Sequence, residues 1–571
     1  MQTAFTGISA KPIRIGIVFL TGVCIVGILL MAAVPPVSRD ALSHHLAVPK
    51  LYLEQGGIVE LPDCPFSYYP MNLDLLYMLP LYLGNDILAK YIHFAFAFLT
   101  GLLIFSYLNK RTGKTWGLLG VFLFLSLPVI IKLSITVYVD LGLVFFSTAA
   151  LLAFIHWMEN DFQGRHLVWA AIACGLALGT KYNGLITFVL LTLFVPFVFS
   201  IKNRRARRRN TRAILYSLIF AFIALAVFSP WMIRNVVWKG NPLYPLYDSV
   251  FQTNEQAAKP GVAAKPANPT PPALDHFTFR KHAYGDSAID IALVPLRIFY
   301  EGRDNDPKYF DGVLNIYLLI LPLVWLAMAG RRAWDYRTGE FYLLVFAGLY
   351  FLLVFLRIDM RIRWIAPIIP PLVILSVLGI HKVFGALAAV SGRRRALAAL
   401  FVVLFMVTTL VGNFKYLVKQ FREVKPLEYI SGRISREDYI SRRRPAYRVH
   451  AYARDHLAPD AVILGLFLGN RRYYSERSML LDDYLLLEAL SGVESGQSCN
   501  NVLGKRGITH IMLRQDLFTK WAHDNFRPQG MEVLVRFINR ELTLLTSHRG
   551  YYLYELNCGK ESIDNRSNFT G

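Results

Sequence analysis

Several residues in this sequence combine a reactive type with a suggestive spacing. Asp40 stands four residues before His44, with His45 next, in Ser38-Arg39-Asp40-Ala41-Leu42-Ser43-His44-His45. On a helix that spacing puts the carboxylate and the His44 imidazole on one face, where they can serve as a base or bind a metal. Alone, such an Asp reads equally well as a helix cap. Asp140, in Tyr138-Val139-Asp140-Leu141, has the same two readings: a cap favoured by the helix dipole, or an acid in a shared polar site. Lys181 occupies the short turn Gly179-Thr180-Lys181-Tyr182-Asn183-Gly184, as a snorkelling side chain or as a point charge for phosphate. Arg357, Arg361 and Arg363 fall within seven residues. Their guanidinium forks suit bidentate phosphate binding, with lipid headgroups as the competing partner. Arg234, just before Gly240-Asn241-Pro242-Leu243-Tyr244-Pro245, either joins that basic group or anchors a helix end beside a fixed turn.

The elements that must carry these residues are membrane spans. Of 571 residues, 54% are hydrophobic and only 18% charged, yet 61 Lys and Arg face 39 Asp and Glu, a formal charge of +22. With 39 Phe, 30 Tyr and 9 Trp the chain is far too apolar for disorder. Apolar runs near 20 residues also exclude a single soluble domain. They fall at 13–34, 86–108, 115–131, 141–158, 167–180, 184–200, 213–231, 313–330, 341–356, 364–384 and 396–412, predicting 11 spans. The first is long and lacks a small-residue cleavage site, so it reads as a retained anchor.

In a soluble protein +22 would suggest nucleic acid. Here the dense basic runs at 109–114, 201–212, 331–337 and 393–395 alternate between spans, which marks the cytoplasmic loops. The N-terminus then lies inside and the C-terminus outside. Residues 1–412 form the transmembrane domain, with outer loops at about 35–85 and 233–312; the second includes an Ala/Pro-rich strap at 256–273. Residues 413–571 read as a small extracytoplasmic α/β domain with strands near 461–467, 508–513 and 551–556 and a helix near 482–490. A Cys499–Cys558 disulfide is one option among three external cysteines. Asp40, Asp140, Lys181, the Arg357–Arg363 group and Arg234 all fall on the outer side. Acids and bases at one interface suit a lipid-linked phosphate beside a second reactant.

In their order, Asp40, Asp140, Gly175-Leu176-Ala177-Leu178-Gly179-Thr180-Lys181-Tyr182 and Arg361-Ile362-Arg363-Trp364-Ile365-Ala366-Pro367-Ile368-Ile369-Pro370 resemble the GT-C membrane glycosyltransferases. The resemblance is to the protein mannosyltransferase and aminoarabinose transferase group, covers nearly the whole chain, and rests on order and sidedness. It implies an inverting transfer of a sugar from a polyprenyl-phosphate donor to an acceptor hydroxyl at the extracytoplasmic face, without a nucleotide cofactor. Asp40 would be the base. Lys181, Arg361, Arg363 and Arg234 would hold the donor phosphate, and Asp140 would position the acceptor or a basic group, or bind metal. Many relatives follow the first Asp with Glu; here Ala41 follows, and His44 and His45 supply the nearby polar pair, which leaves a divalent cation open.

A transporter or flippase for a lipid-linked or anionic solute would place polar groups at midspan and show inverted repeats. The charges here gather at one face instead, and no repeat is visible. A membrane assembly subunit is the third reading. The expected partners are a polyprenyl-phosphate-linked sugar, a lipid, glycan or protein acceptor, and membrane lipids, with no nucleic acid. The only Asn-x-Ser/Thr sites, Asn565 and Asn568, lie at the extreme C-terminus, and the expected location is a bacterial plasma membrane.

Overall fold

The structure, a computed structural model, describes residues 10–203, 209–251, 276–357, 359–388, 393–494, 503–526 and 528–557. The core of the basic run at 204–208, the strap at 256–273, Cys499, Cys558, Asn565 and Asn568 lie outside the described residues, as do the side chains of Arg357 and Arg393–Arg395. Contacts divide the chain into two compact units. One comprises Met1–Val34 and Phe66–Pro426, the other Pro35–Pro65 and Leu427–Gly571.

The first unit is helical. Seven of its described helices are long and apolar enough to cross a membrane: Lys11–Ala32, Leu88–Thr112, Asp140–Glu159, Gly184–Lys202, Arg209–Lys239, Gly339–Leu356 and Ala366–Leu387. An eighth span results if Lys114–Leu125 and Pro128–Ser134, bent by 67°, act together. These helices mark a multi-pass membrane protein. Their outer faces are apolar, with Phe19 and Phe222 among the exposed side chains, the reverse of soluble packing.

The bend at 126–127 has a local cause. Pro128 lacks an N–H and drives the preceding residue out of the helical region; Leu127 is extended, at φ −62° and ψ 133°. Two other predicted spans form shorter helices, Gly164–Thr180 with 17 residues and Tyr317–Ala329 with 13, against the roughly 20 that cross a bilayer. The second starts late because Asn315 Oδ1 accepts the Tyr317 N–H at 3.1 Å. It stops at Gly330, whose φ is +53°. The last apolar run lies within the 32-residue helix Arg393–Val424.

The second unit is built on a five-stranded sheet: β1 Val462–Leu466, β2 Ser478–Leu481, β3 His510–Arg514, β4 Leu542–His548 and β5 Tyr551–Leu556. The order is β2-β1-β3-β5-β4. β1 runs parallel to β2 and β3, whereas β5 is antiparallel to both β3 and β4. Side chains alternate across the pleat. Leu464, Leu466, Ile511 and Leu513 join a core with Leu486, Phe518 and Phe537, while Ile463, Met512 and Leu553 face Val449 and Ala453. Strands β1, β3 and β5 match the apolar runs read from sequence. β2 and β4 were not legible, because β2 has only four residues and β4 mixes threonines and serine with its leucines. The predicted helix near 482–490 forms at Leu485–Glu494.

Candidate active site

In the first unit, one end of the helical bundle collects Asp140, Lys181, Arg234, Arg361 and Arg363. Asp140 opens the helix Asp140–Glu159 as its first residue, directly after Val139 at the cap position. Its side chain is 1% exposed, and Lys181 Nζ donates to its Oδ1 at 2.7 Å. Lys181 reaches it from the end of Gly164–Thr180, where its own backbone turns extended at φ −164° and ψ 143°. The other carboxylate oxygen, Oδ2, is buried without a hydrogen-bond partner among the described residues. The Arg363 charge also acts on Asp140, with its guanidinium 5.2 Å from the Tyr138 ring. A carboxylate buried this deeply persists only with a cation beside it.

His93 completes the frame and was missed in the sequence. Its Nε2 accepts the Leu141 N–H at 3.1 Å, which puts the ring proton on Nδ1, facing the carbonyls of Leu133 and Thr136 at 2.9 and 3.0 Å. The imidazole thus satisfies an orphan N–H at the helix start, a task usually given to a capping side chain. A polar pair inside an apolar span, Lys90 and His93, was the available signal. Lys90 is spent on the Val34 carbonyl at 2.7 Å.

The segment bearing Arg361 is fixed by residues of the loop at 233–312. Arg280, fully buried, lies 2.7 Å from Asp286 and 3.7 Å from Asp359. It also donates to the Lys308 carbonyl at 2.8 Å and packs on the rings of Tyr284 and Phe310. Tyr284 Oη donates to Asp359 at 3.0 Å. Burial pushes the Asp359 carboxyl up. Burial and the Asp359 charge together push the Tyr284 phenol up to about 12. Arg361 faces Asp311 at 3.6 Å and Asp359 at 4.0 Å.

Arg234 serves the backbone. It donates to the carbonyls of Tyr68 at 2.6 Å and Tyr69 at 3.1 Å and packs against Trp231 and Trp238. The adjoining turn is tied in by Tyr182, whose hydroxyl donates to the Tyr244 carbonyl at 2.8 Å. The Tyr244–Pro245 peptide is cis.

Asp40, His44 and His45 belong to the second unit. Asp40 precedes a five-residue π-turn, Ala41–His45, without a side-chain capping bond. The two imidazoles are 4.0 Å apart, ring to ring. The turn is anchored on the loop after β1: the Leu42 carbonyl accepts the N–H groups of Arg472 and Tyr473 at 3.2 and 3.1 Å, and Tyr474 Oη donates to the Pro36 carbonyl at 2.8 Å. Arg444 Nε donates to Val37 at 2.6 Å. Among the described residues, no three His, Cys, Asp or Glu side chains gather as a metal would require.

Residues 77–233 match the family model of the dolichyl-phosphate-mannose–protein mannosyltransferases. Comparison with curated proteins gave no match. Among solved structures, ArnT from Cupriavidus metallidurans bound to undecaprenyl phosphate superposes with a TM-score of 0.53 at 13% identity, covering 96% of this chain and 99% of that one. The Archaeoglobus fulgidus oligosaccharyltransferase tethered to an acceptor peptide gives 0.53 at 12% identity, over 94% and 74% of the two chains. The same archaeal protein in complex with zinc and sulfate gives 0.50 at 12% identity, over 93% and 72%. At these identities the likeness is one of fold. The chain thus carries the fold of these membrane glycosyltransferases along nearly its whole length, and its second to seventh predicted spans match the mannosyltransferase model.

Proposed function

We propose that the protein is an inverting glycosyltransferase that moves a sugar from a polyprenyl phosphate to an acceptor hydroxyl at the extracytoplasmic face of a bacterial plasma membrane. The observation that carries this reading is the buried Asp140–Lys181 pair at 2.7 Å, with Arg363 acting on the same carboxylate. A cluster with more positive than negative charge at the helix ends suits a lipid phosphate. Asp140 holds Lys181 in place, so the ammonium needs little reorganisation as charge develops on the leaving phosphate. Arg361 and Arg234 flank the donor phosphate while bonded to their own partners.

In the proposed reaction the acceptor oxygen bonds to the anomeric carbon as the bond from that carbon to the phosphate oxygen breaks. The electron pair leaves with the polyprenyl phosphate, and the hydroxyl proton passes to Asp40. A single displacement inverts the anomeric centre. The phosphate is a weak base, so its departure needs charge stabilisation rather than protonation. The test compares the masses of envelope lipids and surface glycans from cells with the intact gene, with none, and with Asp40→Asn. The proposal expects one glycan species to lack a hexose or pentose in the deletion and in the variant, with the variant protein present in the membrane. Identical glycan profiles in all three would overturn it.

A further inference from the structure

The second unit contains two adjoining hollows that the proposed chemistry does not use. The larger, about 360 Å³, and the smaller, about 50 Å³, share Tyr447, His450 and Tyr474 as common walls. The smaller is bounded by Arg444, Arg471 and Tyr551, and no carboxylate lines it among the described residues. In the larger, Lys50, Arg436 and Arg454 face Glu437 and Glu476, and Arg454 is already paired with Glu437 at 3.3 Å.

Two polar groups here point to a ligand. His450 is 6% exposed, and its Nδ1 has no hydrogen-bond partner among the described residues. Arg471 Nε is likewise buried without one. A guanidinium only donates, so it calls for an acceptor oxygen. Leaving buried donors or acceptors unmet is costly. Burial, helped by the Lys50 charge, pushes His450 down to about 4, so at neutral pH it offers one N–H and one lone pair. That combination matches a hydroxyl, which also both donates and accepts. The larger hollow falls within the roughly 300–1,000 Å³ of small-ligand pockets, and its tyrosines supply flat apolar faces. The smaller has room for one or two water-sized groups.

We propose that these hollows bind an anionic saccharide, its ring against Tyr447 and Tyr474 and its carboxylate or phosphate toward Arg471 and Arg444. The glycosyltransferase reading is needed only to name this saccharide as part of the acceptor glycan. The geometry supports that assignment. The loop 471–475 that walls the hollows also carries the Asp40-bearing turn, through Leu42 and through Lys50, which donates to the carbonyls of Tyr473 at 3.2 Å and Ser475 at 2.9 Å. Leu42 itself lines the smaller hollow.

The test is calorimetric titration of the full-length protein in detergent micelles with D-glucuronate, glucose 6-phosphate, glucose and inorganic phosphate. At least one of the two anionic sugars should bind about tenfold more tightly than glucose and than inorganic phosphate, and which one binds separates a carboxylate ligand from a phosphate ligand. Arg471→Met should weaken it about tenfold, and His450→Gln should weaken it too. Asp140→Asn should leave it intact, so loss of sugar transfer and loss of saccharide binding are read separately. Should Arg471→Met unfold, Arg471→Lys keeps the charge but removes the Nε donor and should still weaken binding. No binding of either anionic sugar, equal binding of glucose or of inorganic phosphate, or full affinity in a folded Arg471 variant would each overturn the proposal.

Discussion

Asp140 and Lys181 form one ion pair, but their burial is unequal: 1% of the Asp140 side chain is exposed against 21% for Lys181. Removing the lysine leaves a buried carboxylate without its cation, whereas removing the carboxylate leaves an ammonium that can turn towards solvent. Lys181→Ala should therefore cost about 3 kcal/mol and Asp140→Asn about 1, read as thermal midpoints of the purified protein in detergent. Equal losses, or a larger loss in Asp140→Asn, would contradict the unequal burial. Both residues were legible in the sequence as ionisable groups at span ends, where apolar patterning gives no reason for them. Their pairing was not, because 41 residues of chain separate them. Arg234 and Arg361 were legible as misplaced charges, but their partners were not. Carbonyls of Tyr68 and Tyr69 and the carboxylates of Asp311 and Asp359 come from loops whose course no periodicity encodes.

Helix starts and crossings set where those side chains arrive. At the start of the helix Asp140–Glu159, His93 takes the Leu141 N–H. His93→Leu would orphan that N–H and take the ring N–H from the Thr136 carbonyl, while the Leu133 carbonyl keeps the Thr136 N–H and hydroxyl. A loss of about 2 kcal/mol should follow, and His93→Asn, which keeps a donor and an acceptor, should recover part of it. The check is the unfolding midpoint of each variant, and a Leu variant as stable as wild type would remove His93 from this role. The Gly175–Gly179 spacing carried part of the family resemblance, and its structural meaning is packing. A Cβ at Gly175 would stand 2.5 Å from the Ala224 carbonyl oxygen, and one at Gly179 would stand 2.3 Å from Asn72 Nδ2. Span existence was readable from hydropathy alone. Span length was not, since Asn315 and Gly330 trim one apolar run to a helix of 13 residues.

For the molecule as a whole, hydropathy identified the membrane class, because it is a property of long stretches. The grouping of Pro35–Pro65 with Leu427–Gly571 was invisible, since it depends on hydrogen bonds between segments more than 400 residues apart, such as the Arg444 side chain to the Val37 carbonyl. The second unit should also carry an acid sensitivity. His450 has a folded value of about 4 against an ordinary 6.5. Between those values the unfolded chain binds a proton that the folded chain does not, so stability falls as pH drops from 6.5 to 4. The loss is on the order of 3 kcal/mol and is complete below 4. Above 6.5 the group contributes nothing. His450→Gln should flatten that part of the stability–pH curve relative to wild type, and parallel curves would contradict it.

The most direct measurement of the central claim is the affinity of the protein, reconstituted in nanodiscs, for undecaprenyl phosphate and for undecaprenol. The phosphate should bind at least about tenfold more tightly than the alcohol. Lys181→Ala and Arg363→Gln should each remove most of that difference without changing undecaprenol binding. Equal affinity for the two lipids, or a preference for the phosphate that survives in both variants, would contradict it.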